Sequence, residues 1–527
     1  MTGRGENGVT SAHAGVGSGS HAPTVGSVER LLRAPWLPWA LVALAVAFRV
    51  GHYAANPAVW LDEAFLLDNL FDRSVPELLE RLDHDQAAPF GFLLVEWVVM
   101  RGLGISEYAL RIVPMVASVL SPLLLLYVAR RSLSREAVPV ALAVFACSQP
   151  AIRYAAEVKP YSVDLAVAVM LMLAALSAAP GKRSHLSLWV LGVLGAVAVW
   201  FSFPAAFVLA GAGVTMGVIA VHRRDWPRLG TLGAVSALWL GSFAVYYGIS
   251  LRDLGAQGSL TAWWSHAFAP FPPTSASDVN WFLRAFFAVF RDPVGLEAPG
   301  LGALACVLGI YAMFRRDRER ALLLVSPVAA ALVASASGRY PFTGRFLLFA
   351  MPLLVLFAAE GVETIRREVR APLIATVATL LLVLPPFATS AYRFARPEPA
   401  QGVRPAMRHL MEHHEDGDGV FVYYWAHYPF RYYARRFGFG LEDYKAWIPA
   451  RNDLSYHERD INRMRGRRRV WFLFAPVPEN LGGGEQQFFE TRLEEAGKRL
   501  DAYRSRGATL LLYDLSEPTE RADDDDT

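Results

Sequence analysis

An adjacent pair of carboxylates, Asp62 and Glu63, stands in "NPAVWLDEAFLLDNL", just past the first long apolar run of the chain. A second cluster, "RYAAEVKPYSVD" at 153–164, puts Glu157, Lys159 and Asp164 at the mouth of another apolar run, and Arg345 closes "SGRYPFTGR" before a third. These residue types suggest a chemistry. A positioned carboxylate can take a proton from a hydroxyl. An ammonium holds a phosphate oxygen as a point charge, and a guanidinium holds it as a planar fork. The chain has 51 Lys plus Arg, yet only four are lysines (159, 182, 445 and 498), so Lys159 departs from an arginine background. The alternative for Lys159 is a stem that merely snorkels at an interface. The alternative for Asp62–Glu63 is a surface pair, although its place between Trp60 and Phe65 at a membrane exit gives it a desolvation cost that suggests a task. Asp164 lies about one and a half turns beyond Lys159, and charges at such depth usually pair or line a cavity.

The elements that position these residues are apolar helices. The chain is 54% hydrophobic and 19% charged, a balance explained by long apolar runs. A span needs about 20 apolar residues. Spans are expected near 36–55, 109–129, 137–152, 162–180, 187–202, 204–221, 229–248, 299–314, 321–337, 346–360 and 371–391, eleven in all. The short basic loops "ARRSLSR", "GKRSH", "HRRDWPR", "FRRDRER" and "IRREVR" then fall on one side, which the positive-inside rule makes cytoplasmic, together with the N-terminus. Residues 56–108, 153–164, 249–298 and 337–345 share the outer face with everything after 392. This arrangement predicts a multi-pass protein of the plasma (inner) membrane. Residues 1–35 form a cytoplasmic N-terminus expected to be disordered and show no signal-peptide cleavage site. The run 88–100 contains Glu96 and is too short to cross, so it is expected as a helix in the outer interface. Cys147 and Cys306 lie inside spans as packing residues. The basic residues are spread as topology signals, so no nucleic-acid partner is expected.

After 392 the composition becomes more charged. "GVFVYYWA" (419–426), "RRVWFLFAPV" (468–477) and "ATLLLYDL" (508–515) read as strands, and "GEQQFFETRLEEAGKRLDAYRSRG" as a helix ending at Gly507. The expectation is a small extracytoplasmic α/β domain over 396–516, followed by an acidic disordered tail, 517–527. "EHHEDGD" at 412–418 reads as a solvated helix end. Asp83-His84-Asp85 mimics a metal-holding DxD pattern, but no second ligand set accompanies it.

Four motifs in order carry a resemblance: the Asp–Glu pair after the first span, "DQAAPFGFLL" with "SEYALRIVPMVASVLSPLLLLYVARR", "YAAEVKPYSVDL", and "YPFTGRFLLFAMPLLVLFAAEGVE". Over residues 36–395 the chain resembles the glycosyltransferase family 39-like proteins of the GT-C superfamily, which include protein O-mannosyltransferases and the lipid A aminoarabinose transferase. The resemblance implies a polytopic α-helical GT-C fold with about eleven transmembrane helices. It implies inverting transfer of a sugar from a polyprenyl-monophosphate-linked donor, outside the cytoplasm, to a lipid, polysaccharide or protein acceptor. The family's base maps onto Asp62, with Glu63 beside it. Its phosphate-holding cations map onto Lys159, Arg345 and Arg153. Asp85, Gln86, Glu157, Tyr161 and Asp164 stand as substrate-contacting candidates. Gln86 is followed by Ala-Ala-Pro-Phe where members often carry His-Pro-Pro or Gln-Pro-Pro. No cofactor is implied, and a divalent metal is compatible with the reaction but not required by it. The rival readings are a lipid-linked sugar flippase or transporter, and a GT-C ligase using a diphosphate-linked oligosaccharide.

Overall fold

The computed structural model describes residues 25–178, 185–252, 262–397, 402–440, 444–446, 455–475 and 484–516. Every segment expected to span is helical, with the first at Leu37–Ala54 and the last at Pro372–Ala395. Among the described residues seven helices are long and apolar enough to cross a membrane, or eight if one bent pair counts as a single span. The chain is a multi-pass membrane protein. That bent pair departs from the straight span expected at 137–152: Ala137–Cys147 and Gln149–Ala156 meet at 58°. Ser148 is extended (ψ 110) and Pro150 follows inside the next turn, so the helical ladder is interrupted there. The turn that follows, Tyr154–Ala156, packs against the helices Ile112–Ser132 and Leu37–Ala54.

Helix packing in lipid needs close approach, and small residues supply it. The helices Pro299–Arg316 and Met351–Arg367 cross at Gly309 and Gly361. A Cβ at Gly309 would collide with the Phe357 carbonyl oxygen, and one at Gly361 with that of Ala305. This crossing fixes the helix that follows Arg345.

The segment 56–108 folds into the helix Leu61–Asp72, a short turn Pro76–Leu79 and the helix Phe90–Leu103. The 249–298 loop contains a helix, Ala276–Arg291, among its described residues. Its start is a capping box in which Ser275 and Asp278 satisfy each other's backbone N–H groups. The sequence expectation of a loop over 249–298 is corrected by this helix.

The C-terminal residues form a five-stranded sheet of order β2-β1-β3-β5-β4, with β1 Gly419–Val422, β2 Tyr444–Ala446, β3 Val470–Phe474, β4 Lys498–Ser505 and β5 Ala508–Asp514. β1 pairs in parallel with β2 and β3, while β5 runs antiparallel to β3 and β4. All five residues of β3 are buried, which explains its unbroken apolar run. Three expectations need correction. The strand expected through 426 ends at Val422, and Tyr424–Phe437 is a helix. The helix expected to reach Gly507 ends at Ala496; 498–505 is the edge strand β4, whose alternating exposure over only eight residues resembles a polar helix face. The N-terminal disorder expected through residue 35 gives way to a helix at Val25–Leu32. Residues 1–24 and 517–527 lie outside the described residues.

Candidate active site

The helix Leu61–Asp72 begins where Trp60 is extended (ψ 171) and ends where Arg73 is extended again. Asp62 and Glu63 occupy its first turn, where the helix dipole favours negative charge. Adjacent residues on a helix point about 100° apart. The two carboxylates therefore enter different surroundings.

Glu63 faces inward and is fully buried. Arg111, at the start of the Ile112–Ser132 helix, donates to both of its oxygens, Nε to Oε1 at 2.9 Å and Nη2 to Oε2 at 2.7 Å. The backbone N–H of Val158 donates to Oε1 at 2.9 Å. Arg111 also donates to the carbonyl of Pro57 at 2.6 Å. Glu63 and Arg111 thus tie the first outer segment to residue 158, next to Lys159.

Asp62 faces a different cluster. Lys159 Nζ lies 3.1 Å from its Oδ1 and Arg345 Nη1 lies 2.7 Å from its Oδ2. Lys159 also donates to Gln86 Oε1 at 2.6 Å. Burial pushes the Asp62 carboxyl up, and Lys159 and Arg345 more than offset that, holding it below the ordinary carboxylate value. Burial pushes the Lys159 ammonium down; Asp62 works against this and Arg345 adds to it, with a net lowering. Lys159 reaches this point because Glu157 is extended, the Lys159 N–H closes onto the Glu157 carbonyl at 2.7 Å, and Pro160 leads into the helix Tyr161–Ser177. Arg345 follows Gly344, whose φ of +43° and proximity to Asp292, 2.9 Å from where a Cβ would sit, require glycine. The Arg345 guanidinium lies over Tyr161 at 5.6 Å, Trp264 at 5.6 Å and Phe346 at 5.7 Å. Its buried Nε has no acceptor among the described residues.

The remaining candidates are placed elsewhere. Arg153 pairs with Glu157 at 2.5 Å and stacks over Trp60 at 5.2 Å. Both line a cavity of about 560 Å³ on the Glu63 side, between the first outer segment and Trp425 and Pro429 of the C-terminal part. Among the described residues, the buried Oε2 of Glu157 and Oδ1 of Asp164 accept no hydrogen bond. Asp85 pairs with Arg81 at 3.3 Å, Asp83 with Arg73 at 2.9 Å, and His84 with Asp68 at 3.1 Å, so the three residues of the DxD-like run turn to three separate partners. Among the described residues no group of three or more His, Cys, Asp or Glu side chains is arranged to hold a metal ion. Asp418, expected in a solvated turn, is buried and accepts from Arg469 at 2.8 Å and from Trp471 Nε1 at 2.8 Å.

Arg111 was not singled out from the sequence. Neither was the clamp made by the C-terminal part, in which Arg431 reaches Asp68 at 2.6 Å, Arg435 reaches Asp72 at 2.7 Å, and Tyr433 Oη accepts from the Val59 N–H at 2.8 Å. Arg404 meets Glu107 at 3.0 Å. The helix that carries Asp62 is therefore braced from both the membrane bundle and the sheet domain.

The chain is a polytopic helical bundle carrying a small C-terminal sheet, and solved membrane proteins share this fold. It is similar to the crystal structure of ArnT from Cupriavidus metallidurans in the apo state, with 15% identity over 90% of this chain and 97% of that one and a TM-score of 0.53. The same ArnT bound to undecaprenyl phosphate matches at 14% identity over 91% and 98%, with a TM-score of 0.53. The archaeal oligosaccharyltransferase AglB from Archaeoglobus fulgidus, in complex with an inhibitory peptide and a dolichol-phosphate, is more distant, with 11% identity over 91% and 74% and a TM-score of 0.47. No protein-family model matches the sequence, and no curated relative reaches significance.

Proposed function

We propose that the protein is a glycosyltransferase that moves a sugar from a polyprenyl-monophosphate donor to an acceptor hydroxyl on the extracytoplasmic side of the membrane. The observation that carries this reading is Asp62 held between Lys159 and Arg345, 3.1 and 2.7 Å away. In an inverting displacement the acceptor oxygen attacks the anomeric carbon while the bond from that carbon to the phosphate oxygen breaks. Asp62 takes the acceptor's proton, and the polyprenyl phosphate leaves with the bonding electrons. Lys159 and Arg345 offset the charge gained by the leaving phosphate, an effect that is large in a dry site. The unfilled Nε of Arg345 supplies a further donor for that oxygen. A phosphate that recruits the two cations takes them away from Asp62, which then becomes more basic. Donor binding and base activation are thereby coupled. Gln86 holds Lys159 in place, and the Arg111–Glu63 pair holds the helix. The binding of undecaprenyl phosphate by the similarly folded ArnT supports a polyprenyl-phosphate donor. The basic loops support an outward-facing site.

The test is transfer in reconstituted membranes using labelled polyprenyl-phosphate sugars, following label into lipid, polysaccharide and protein fractions. Label appearing in one acceptor fraction with release of polyprenyl phosphate supports the proposal. Donor that only crosses the bilayer, with its sugar–phosphate bond intact, contradicts it and favours a flippase.

A further inference from the structure

At the opposite end of the same helices the structure holds a second charged cavity. The helix Ile112–Ser132 has Arg111 at one end and the cavity residues Leu133 and Ser134 just past the other. Met351–Arg367 likewise runs from the Arg345 side to Arg366 and Arg367. The cavity measures about 820 Å³ and is lined by seven arginines, among them Arg316, Arg320, Arg366, Arg367 and Arg370, against three glutamates. Its glutamates are already engaged: Arg33 takes Glu136 at 2.6 Å and Glu29 at 2.6 Å, and Arg366 takes Glu363 at 2.6 Å. Arg316 pairs with Glu360 at 2.5 Å and Arg320 with Asp317 at 3.3 Å, so the excess positive charge is on the rim, where Arg367 is 59% exposed and lies 4.0 Å from Glu363. Arg370 makes no ion pair among the described residues, and its backbone sits at φ +54°.

Two further observations narrow the ligand. Glu363 is buried and gives one oxygen to Arg366, while its Oε1 accepts no hydrogen bond among the described residues, which leaves one unfilled acceptor atom in the cavity wall. Immediately beside Arg370 stand Val369, Leu373 and Ile374, exposed by 65%, 74% and 60%. A soluble anion has no use for that apolar flank, whereas a phospholipid does. Guanidinium forks match phosphate oxygens bidentately, and basic pockets between transmembrane helices on the cytoplasmic side suit anionic headgroups.

We propose that this cavity is a binding site for an anionic phospholipid with a hydroxylated headgroup, such as phosphatidylglycerol. The phosphate lies on Arg367, Arg370 and Arg320, a headgroup hydroxyl donates to Glu363, and the acyl chains run along Leu373 and Ile374. The site is independent of the glycosyltransferase reading. The test uses the purified full-length chain in detergent. Lipid retention is measured by native mass spectrometry and Tm is measured during titration with phosphatidylglycerol, phosphatidylcholine or inorganic pyrophosphate. The expected result is selective retention of phosphatidylglycerol and a rise in Tm with that lipid alone. Arg367→Glu with Arg370→Glu should weaken retention by roughly tenfold or more, because each lost guanidinium–phosphate bond is a charge-assisted one. Arg465→Glu with Arg468→Glu, an equal charge change at exposed positions of the C-terminal part, should leave it unchanged. If the charge-reversed protein does not fold, Arg367→Gln and Arg370→Ala provide the same readout. Equal retention of the two lipids, or undiminished phosphatidylglycerol binding in the cavity variants, would overturn the proposal. Protection by pyrophosphate without protection by phosphatidylglycerol would assign the cavity to a soluble anion instead.

Discussion

The pocket around Glu63 and the pocket around Asp62 are built from the same pieces, a carboxylate and a cation delivered from a distant segment. Glu63 is sealed, with Arg111 covering both oxygens and a backbone N–H adding a third bond. Asp62 keeps 17% of its side chain exposed and divides its oxygens between two cations that come from different elements. A bidentate, desolvated pair has nothing left to give to a ligand. A carboxylate held by two separable cations can exchange both for a phosphate. One residue of step along this helix separates a sealed carboxylate from one whose partners a ligand can exchange.

The largest effect is expected at Asp62. Asp62→Asn keeps the shape and removes the proton acceptor, so transfer should fall by roughly 10²–10⁴-fold, measured as initial rates in proteoliposomes. Normal rates would make Asp62 a second anchor. Glu63→Gln and Arg111→Met should act on folding instead. Each leaves one buried charge unpaired, a cost of about 3–5 kcal/mol, to be read as a lowered Tm or loss of folded protein in detergent. If either variant is stable and loses only transfer, the two roles are reversed.

Next come the cations. Lys159→Ala or Arg345→Ala should reduce the rate on the order of 10²-fold through weaker leaving-group stabilisation. Full activity in Lys159→Ala would mean that this lysine only fills space. The pH dependence sharpens the same point. The lowered Asp62 value comes from Lys159 and Arg345 overcoming burial. The acidic limb of kcat/KM should therefore lie below the ordinary carboxylate range. It should move to higher pH in Lys159→Met, because losing a neighbouring cation favours the protonated form. An unmoved limb would assign it to another group. The smallest effect is expected at Gln86→Ala, about tenfold in rate, since one hydrogen bond to a charged group is worth about 1.5–3 kcal/mol and Asp62 still holds Lys159.

Asp62, Lys159 and Arg345 stood out in the sequence because polar residues at the ends of apolar runs are costly and therefore informative. Lysine is also rare in this chain. Arg111 was hidden by the same background: in an arginine-rich protein, one more arginine at a helix end looks like a topology signal, and its partner lies 48 residues away. Arg431 and Arg435 were hidden because their aspartates belong to a segment more than 350 residues distant. The apolar strand β3 and the helical bundle were legible because burial writes itself as continuous hydrophobicity. The edge strand β4 was not, since its polar alternation is short and only its pairing with β5 separates it from a helix. The helix at Ala276–Arg291 has a readable cap in Ser275 and Asp278, but it lies in a polar stretch between spans that looks like a loop.

In the proposed reaction Asp62 and the donor phosphate use the same two cations. The most direct measurement is a binding titration with polyprenyl phosphate, comparing the unaltered protein with Asp62→Asn. Releasing Lys159 and Arg345 from the carboxylate should leave the affinity at least as high as before, and raise it if the competition is strong, while Lys159→Ala lowers it. An Asp62→Asn protein that binds polyprenyl phosphate markedly more weakly would contradict the account, because Asp62 would then be helping to hold the donor rather than competing with it.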